Sequence, residues 1–157
     1  MSAAGPALRI LSVGKTRRGP LRELEHDYLA RIARHAKLQR EEVAASRRRR
    51  AAERRKEEGA ALIHRVSRAG LTIALDAGGR EVSSASFRQD LMRWWAQGEL
   101  TWIVGGPDGL DEELILCCQQ TLSLGRITLP HELALVVLLE QIYRALAANA
   151  GHPYAKH

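Results

Sequence analysis

Short apolar runs alternate with helical spacings along this chain, and the pattern predicts a mixed α/β fold. Apolar runs predict strands at Leu8–Val13, 71–75 and Leu100–Val104. Weaker extended segments are expected at Leu38–Val43, at an edge of the sheet, and at 124–129. Apolar residues three or four positions apart predict helices, with approximate bounds 21–34, 83–97, 111–120 and 132–149. Because strands alternate with helices, we expect a mostly parallel sheet flanked by helices, and a single domain over residues 1–157.

One further helix is predicted over residues 47–69, and its first half is almost wholly charged (RRRRAAERRK). Arg49 with Glu53, and Arg54 with Glu58, have the i, i+4 spacing of helical ion pairs. Two interpretations stay open. The stretch is either a solvated helix face or an electrostatic arm that meets an RNA backbone independently of base sequence.

Composition and charge narrow the class of protein. The formal net charge is +6 and the sequence pI is about 9.9. A positively charged protein attracts polyanions, but the charge alone does not identify the polyanion. The longest apolar run, residues 133–139, is too short to cross a bilayer, and the first residues do not resemble a secretion signal. The only cysteines, Cys117 and Cys118, are adjacent and cannot crosslink distant segments. We therefore expect a cytoplasmic protein without a membrane segment.

Three predicted loops follow strands in the second half of the chain, at 76–79, 105–109 and 123–131. Ligands collect at the carboxyl ends of strands in α/β proteins, and Gly105 and Gly106 let a ligand approach the main chain closely. The alternative is that these glycines only make a tight turn into the next helix. No metal-ligand spacing occurs among the six histidines and two cysteines, so no metal is expected.

Four motifs, in order and spacing, resemble the RlmH family of small SPOUT-class enzymes, the 23S rRNA (pseudouridine-1915-N3)-methyltransferases. They are IVGGPDGL (103–110), LSLGRITLPH (122–131), LLEQIYRA (138–145) and HPY (152–154). The strand at Leu8–Val13 and the segment 71–87 also agree, so the likeness is effectively full length. The resemblance implies a SPOUT-type sheet with a C-terminal trefoil knot, although general rules of chain connection disfavour knots. It also implies a homodimer joined through the last helix, S-adenosylmethionine as cofactor, and helix 69 of 23S rRNA in the assembled ribosome as substrate.

The resemblance also implies which residues of this chain are functional. Its cofactor contacts are implied at Leu75, Gly105, Gly106, Gly125, Arg126, Ile127, Thr128, Leu129 and Pro130. Arg144, His131 and Tyr154 are implied to be catalytic, and His152, Lys156 and Arg144 to bind RNA. A fixed arginine could stabilise the anion of a base that has lost its imide proton, while the general base stays open among a carboxylate, a histidine and water. His131 could instead only cap or pack a helix, and Tyr154 could dock on a partner subunit rather than stack on a base.

Two departures from the family pattern keep other functions open. Where the family ends in HPYHR, this chain has Ala155, Lys156 and His157, and Leu135 stands where the family favours arginine. One alternative is therefore a ribosome-binding assembly factor that kept the fold and cofactor site but lost catalysis. The others are a SPOUT methyltransferase for another RNA position and a nonspecific basic nucleic-acid binder.

Overall fold

A five-stranded sheet, in which every strand pairing is parallel, forms the centre of the computed structural model, which describes residues 5–156. The strands are β1 (Leu8–Val13), β2 (Leu38–Val43), β3 (Leu71–Glu81), β4 (Leu100–Val104) and β5 (Gln120–Ser123), in the order β2-β1-β4-β3-β5. The helices are α1 (Pro20–Ala33), α2 (Ala51–Arg65), α3 (Ser84–Trp95), α4 (Glu112–Cys117) and α5 (His131–Asn149), followed by a 3₁₀ turn at Pro153–Ala155. The predicted α/β class and the edge position of β2 are confirmed.

Helices cover both faces of this sheet, which explains why its strands read as continuous apolar runs. On one face α1, α3 and α5 enclose a core around Trp102, which has no solvent exposure. On the other face α2 and α4 pack Leu62 and Leu114 against Leu11 and Ile103. Side chains that alternate along one strand thus enter two different cores, so the sheet is a rigid support for the loops at its carboxyl edge.

The charged helix is shorter than predicted, because α2 spans Ala51–Arg65 and not residues 47–69. Arg50, the residue before it, has extended backbone angles (φ −89°, ψ 138°), and Val66 after it is also extended. Positive side chains are unfavourable at the positive, N-terminal end of a helix dipole, so a helix that began within the four arginines would be destabilised. The arginine run therefore lies in an irregular segment between β2 and α2.

The last strand also lies earlier in the sequence than predicted. The expected helix over 111–120 ends at Cys117, and the expected extended segment at 124–129 is a loop, because β5 occupies Gln120–Ser123. Gln119 explains the shift: its main-chain N–H donates to the carbonyl of Thr72 (3.0 Å), and its side-chain oxygen accepts from the N–H of Thr72 (2.6 Å). These bonds bring the chain alongside β3 as soon as α4 ends.

The segment 76–79, predicted as a loop after a strand, is an irregularity inside β3. Leu75 and Arg80 both align with Leu122 of β5, so the residues between them bulge out of the ladder. A Cβ added to Gly79 would lie 2.6 Å from the carbonyl carbon of Leu122, which explains the glycine at this close approach. The bulge places Asp76 and Ala77 on the wall of the cavity described below.

Within residues 5–156, no helix combines the length and the apolar character that a membrane span requires. The trefoil knot stays a prediction, since strand order and register do not specify how the segment after β5 threads.

Candidate functional site

A cavity of about 380 Å³ opens where the carboxyl ends of β4, β3 and β5 lie side by side. Its wall consists of the loop 105–109, the loop 123–129, the bulge of β3, and His131 and Ala134 of α5. Eight of the nine residues expected to contact a cofactor line it: Leu75, Gly105, Gly106, Gly125, Arg126, Ile127, Thr128 and Leu129. The ninth, Pro130, is the N-cap residue of α5. Three segments far apart in sequence thus form one cavity, whereas their cofactor role stays a prediction.

The loop after β4 closes on itself. The N–H of Gly109 donates to the carbonyl of Gly106 (3.0 Å), and Gly109 has a positive φ of 81° that favours glycine. A Cβ on Gly105 would lie 2.8 Å from the carbonyl carbon and 2.9 Å from the carbonyl oxygen of Gly109. The tight turn and the cavity wall are therefore the same structure, and the two interpretations of these glycines do not exclude each other.

The loop after β5 is held by its own serine. Ser123 Oγ donates to the carbonyl of Gly125 (2.9 Å) and accepts from its N–H (3.1 Å), while Gly125 has a φ of 125°. Arg126 pairs with Glu81 of β3 (3.2 Å), and Ile127 is 82% exposed. The loop consequently presents main-chain groups and three apolar residues, Leu124, Ile127 and Leu129, at the cavity.

Arg54 of α2 binds the loop 105–109 of the cavity wall through Asp108. Its Nε and Nη2 atoms donate to the two carboxylate oxygens of Asp108 (2.6 and 3.0 Å), and this hydrogen bonding lowers the pKa of Asp108. The predicted ion pair between Arg54 and Glu58 is therefore wrong, because Arg54 pairs with Asp108 instead. A bidentate contact between a guanidinium and a carboxylate is favoured over a single contact along the helix. The Arg54–Asp108 contact was missed because its residues are distant in sequence.

Glu58 is a second residue that the sequence-based interpretation missed, since a helix so rich in charge appears wholly solvated. Its side chain is buried, with 4% exposure, and Oε1 accepts from the N–H of Ser46 (3.0 Å). Oε2 has no hydrogen-bond partner among residues 5–156. Burial raises the pKa of Glu58, and the nearby Asp108 and Glu57 raise it further, against the lowering effect of Ser46 and Arg54.

We expect Glu58→Gln to raise the melting temperature at pH 8 and to have little effect near pH 4. Because the folded-state pKa lies above the usual value of about 4.3, stability is fully present below that value and declines as pH rises through the folded-state pKa. Glutamine keeps an acceptor for Ser46 and cannot ionise. Thermal unfolding at both pH values checks this, with Glu53→Gln, an exposed position of the same helix, as control. A variant less stable than wild type at pH 8 would show that the carboxylate is ionised and stabilising.

The residues expected to act on RNA form a second cluster, at the other end of α5. Arg144 donates to Glu140 Oε1 through Nε (3.0 Å) and Nη2 (2.7 Å), and its guanidinium lies 5.3 Å from the centre of the Tyr154 ring. The Tyr154 hydroxyl donates to the same Glu140 oxygen (3.1 Å) and shares a hydrogen bond with Tyr28 (3.0 Å). The arginine is thus oriented by a carboxylate and a tyrosine.

Tyr154 docks on its own chain. Its ring meets that of Tyr143 edge-on at 4.8 Å. Burial, followed by the hydrogen bonds with Tyr28 and Glu140, raises the pKa of Tyr154, so the phenol stays neutral at physiological pH. His152, whose Nδ1 accepts from the N–H of Tyr154 (3.2 Å), and Lys156 are exposed beside it, while His157 lies outside the described residues.

Within one chain the two clusters are well separated. Arg144 follows His131 by thirteen positions of continuous helix, which is about 20 Å along the axis. A single chain therefore does not bring Arg144 and Tyr154 to the cavity that His131 lines.

The two departures from the family pattern lie in different surroundings. Leu135 is buried, with 3% exposure, and belongs to the core packed around α5. Ala155 is partly exposed in the 3₁₀ turn.

Among the described residues 5–156, no group of three or more histidine, cysteine, aspartate or glutamate side chains is arranged to hold a metal ion.

The fold of this chain resembles that of one solved structure. Over 96% of this chain and 70% of the other, it matches the structure of "a probable methylase family protein" from Haemophilus influenzae Rd KW20 with a TM-score of 0.58 and 15% identity. At this identity the likeness concerns the fold alone.

Sequence comparison identifies the family. The family of predicted SPOUT methyltransferases matches residues 7–155. A relative from Acidiphilium cryptum (strain JF-5), named ribosomal RNA large subunit methyltransferase H, is 42% identical, covering 98% of this chain and 96% of its own. Relatives of the same name from Rhodopseudomonas palustris (strain HaA2) and Nitrobacter winogradskyi (strain ATCC 25391 / DSM 10237 / CIP 104748 / NCIMB 11846 / Nb-255) are 41% and 38% identical, each covering 94% of this chain and 97% of its own. The chain belongs to the SPOUT methyltransferase family.

Proposed function

We propose that this protein transfers a methyl group from S-adenosylmethionine to N3 of a pseudouridine in helix 69 of 23S rRNA, within the assembled ribosome. The observation that carries the proposal is the glycine-lined cavity at the carboxyl ends of three parallel strands, in a chain 42% identical to a relative named for large-subunit ribosomal RNA. The net charge of +6 suits an RNA substrate. Such a substrate places the protein in the cytoplasm.

The cavity fits S-adenosylmethionine in size and chemistry. Its volume of about 380 Å³ falls in the range of about 300 to 1,000 Å³ that small-molecule sites occupy. Adenine and ribose are polar and uncharged, and the glycine loops offer main-chain donors and acceptors beside apolar Leu75 and Leu129. S-adenosylmethionine supplies an electrophilic methyl group when bound. The residues that would hold it are those of the cavity wall together with Pro130.

The base to be methylated must lose a proton first, because an imide N–H is a poor nucleophile. Among the acidic and imidazole side chains on the cavity wall, Asp108 is paired with Arg54 and Asp76 accepts from the N–H of Gly78 (2.9 Å). We assign removal of the N3 proton to His131, which lies on the cavity wall, because histidine is the side chain that most often acts as a general base. Arg144 stabilises the resulting base anion, and Tyr154 positions Arg144 through Glu140.

A second copy of the chain would close the gap between the two clusters. Partly exposed side chains recur every three or four residues along α5: Leu133, Val137, Glu140, Gln141, Arg144 and Ala148. Two such stripes packed antiparallel across a two-fold axis near residues 138–139 place Arg144 of one protomer opposite Leu133 of the other. The homodimer we propose thus forms each site from the cavity of one protomer and the Arg144 cluster of its partner.

Mixing two inactive variants tests this arrangement. Gly105→Ala should block the cavity and Arg144→Ala should remove the cation, so each homodimer is expected to be inactive. A heterodimer retains one intact cavity opposite one intact Arg144, so an equilibrated mixture should recover about a quarter of the wild-type rate. Methyl transfer after co-refolding or co-expression is the measurement, and a mixture as inactive as its components would place the complete site within one chain.

The proposed activity is tested directly with purified protein, labelled S-adenosylmethionine and ribosomes that lack the modification. A methyl group on N3 of the helix 69 pseudouridine is the expected result. A methyl group elsewhere would assign a different SPOUT activity. Cofactor binding and ribosome association without transfer would indicate the assembly factor, with Leu135 and Ala155 as the first residues to revert.

A further inference from the structure

Four consecutive arginines, Arg47–Arg50, lie on the surface, separated by three residues from the carboxyl end of β2. All four are exposed. Since all strands are parallel, this segment is at the same edge of the sheet as the cavity. The fold therefore places this arginine segment on the side of the molecule where the proposed chemistry takes place.

Arg54 ties this segment to the cavity. Its Nη1 atom donates to the main-chain carbonyls of Arg48 (3.0 Å) and Arg49 (2.7 Å), while its Nε and Nη2 atoms hold Asp108 of the cavity wall. A single guanidinium thus contacts both the main chain of the arginine segment and the glycine-rich loop. Its own charge is compensated by Asp108.

Ser46 anchors the start of the segment to α2. Its N–H donates to the buried carboxyl of Glu58 (3.0 Å), its hydroxyl donates to Glu57, and it accepts from the N–H of Arg48 (3.2 Å). With both ends held, the main chain is ordered before any partner arrives, so less conformational entropy is lost on binding.

The arginine side chains differ in their partners. Arg48 pairs with Glu57 at 3.5 Å, with both side chains exposed. Within residues 5–156, the guanidinium groups of Arg47, Arg49 and Arg50 have no hydrogen-bonded or ion-paired partner. A neighbouring cleft is acidic, because the carboxylates on its wall outnumber the cations: it is lined by Arg55 and Lys56 and by Glu53, Asp76, Asp108, Asp111, Glu112 and Glu113. Arg47, Arg49 and Arg50 thus form a group of uncompensated cations within four consecutive residues.

We propose that Arg47, Arg49 and Arg50 bind the phosphodiester backbone of the RNA substrate next to the cavity. The guanidinium fork matches phosphate oxygens, and the segment contains no aromatic residue that could stack on a base, so it contributes affinity and not base selection. This inference rests on the proposed function, because it takes RNA as the substrate. It assigns to this segment a role separate from that of the Arg144 cluster.

The triple variant Arg47→Gln, Arg49→Gln, Arg50→Gln of the full chain tests the inference. We expect KM for ribosomes to rise about tenfold and the slope of log affinity against log salt to fall by about two to three. The kcat and the dissociation constant for S-adenosylmethionine should stay unchanged. Direct association with ribosomes and with protein-free 23S rRNA, measured by cosedimentation, should weaken by the same factor.

A matched control removes the same charge from the opposite edge of the sheet. Arg34, Lys37 and Arg68 are exposed and precede β2 or β3, so their replacement by glutamine should leave KM nearly unchanged. Equal losses in both triple variants would overturn the inference in favour of net charge, and no loss in the first variant would overturn it outright. A loss seen with ribosomes but not with protein-free rRNA would point to a ribosomal protein and also overturn it. If wild-type protein transfers no methyl group yet cosediments with rRNA through these arginines, the proposed function fails and the backbone contact stands.

Discussion

Arg144→Ala is expected to lower the rate of methyl transfer on the order of a hundredfold, the loss typical of removing one group that stabilises a developing negative charge. Arg144 is held by Glu140 at 2.7 Å and by the face of Tyr154, so its cation is oriented before the substrate binds. Without it, the deprotonated base has no fixed positive charge beside it. The dissociation constant for S-adenosylmethionine should not change, because Arg144 is not part of the cavity wall and is proposed to contact the base rather than the cofactor.

Two further variants separate chemistry from packing. Arg144→Lys keeps a charge but loses the planar fork, so we expect it to recover only part of the rate. Arg31 is a matched control, since its guanidinium lies 5.6 Å from the ring centres of both Tyr28 and Tyr143 and pairs with Asp27. Arg31→Ala should turn over at nearly the wild-type rate. If it is as slow as Arg144→Ala, the loss reflects disruption of the aromatic cluster and our assignment of Arg144 is wrong.

Gly105→Ala is expected to abolish detectable binding of S-adenosylmethionine. The added Cβ would lie 2.8 Å from a main-chain carbon of Gly109, and neither atom belongs to a flexible side chain that can rotate away. The turn from Gly105 to Gly109 must therefore open, which displaces the wall of the cavity. Isothermal titration with S-adenosylmethionine measures the effect, and circular dichroism establishes that the variant is folded.

Other glycines of the chain provide the controls. Gly5→Ala introduces the same methyl group at an ordinary contact distance of 3.6 Å from Trp95, so stability and binding should be unchanged. Gly70→Ala forces a Cβ to 2.1 Å from the carbonyl oxygen of Glu99, at the amino end of β3 and away from the cavity. It should lower the melting temperature while the folded fraction binds the cofactor normally. Wild-type affinity in Gly105→Ala would show that the glycine loop is not part of the cofactor site.

The secondary structure was most predictable where burial dictates the pattern. β1 and β4 have the predicted bounds because both faces of these strands lie in the core, and only an unbroken apolar run satisfies that. The prediction failed at β5, where two hydrogen bonds between Gln119 and Thr72 decide where the strand begins. Contacts between residues this far apart in sequence leave no periodic signal.

The residues of the candidate site likewise divide into those that the sequence pattern indicates and those that only the fold brings into place. The glycines at 105, 106 and 125 stand out in the sequence because few other residues tolerate the close approaches and positive φ angles found here. Arg54 and Glu58 gave no such signal, since the i, i+4 spacing favoured pairing them with each other. Their actual environments depend on Asp108 and Ser46, which the fold brings to α2.

The sequence by itself determined the α/β class and the bounds of β1, β2 and β4, because these depend on local periodicity. It also determined the family and the residues of the glycine loops, because these are recognised from short sequence motifs. Only the tertiary structure decided that Leu75, Gly105 and Gly125 line one cavity, that Arg54 joins the arginine segment to that cavity, and that Arg144 lies at the far end of α5 from it. These features are distances between segments remote in the chain, and they are set by how the helices pack on the sheet rather than by any local pattern.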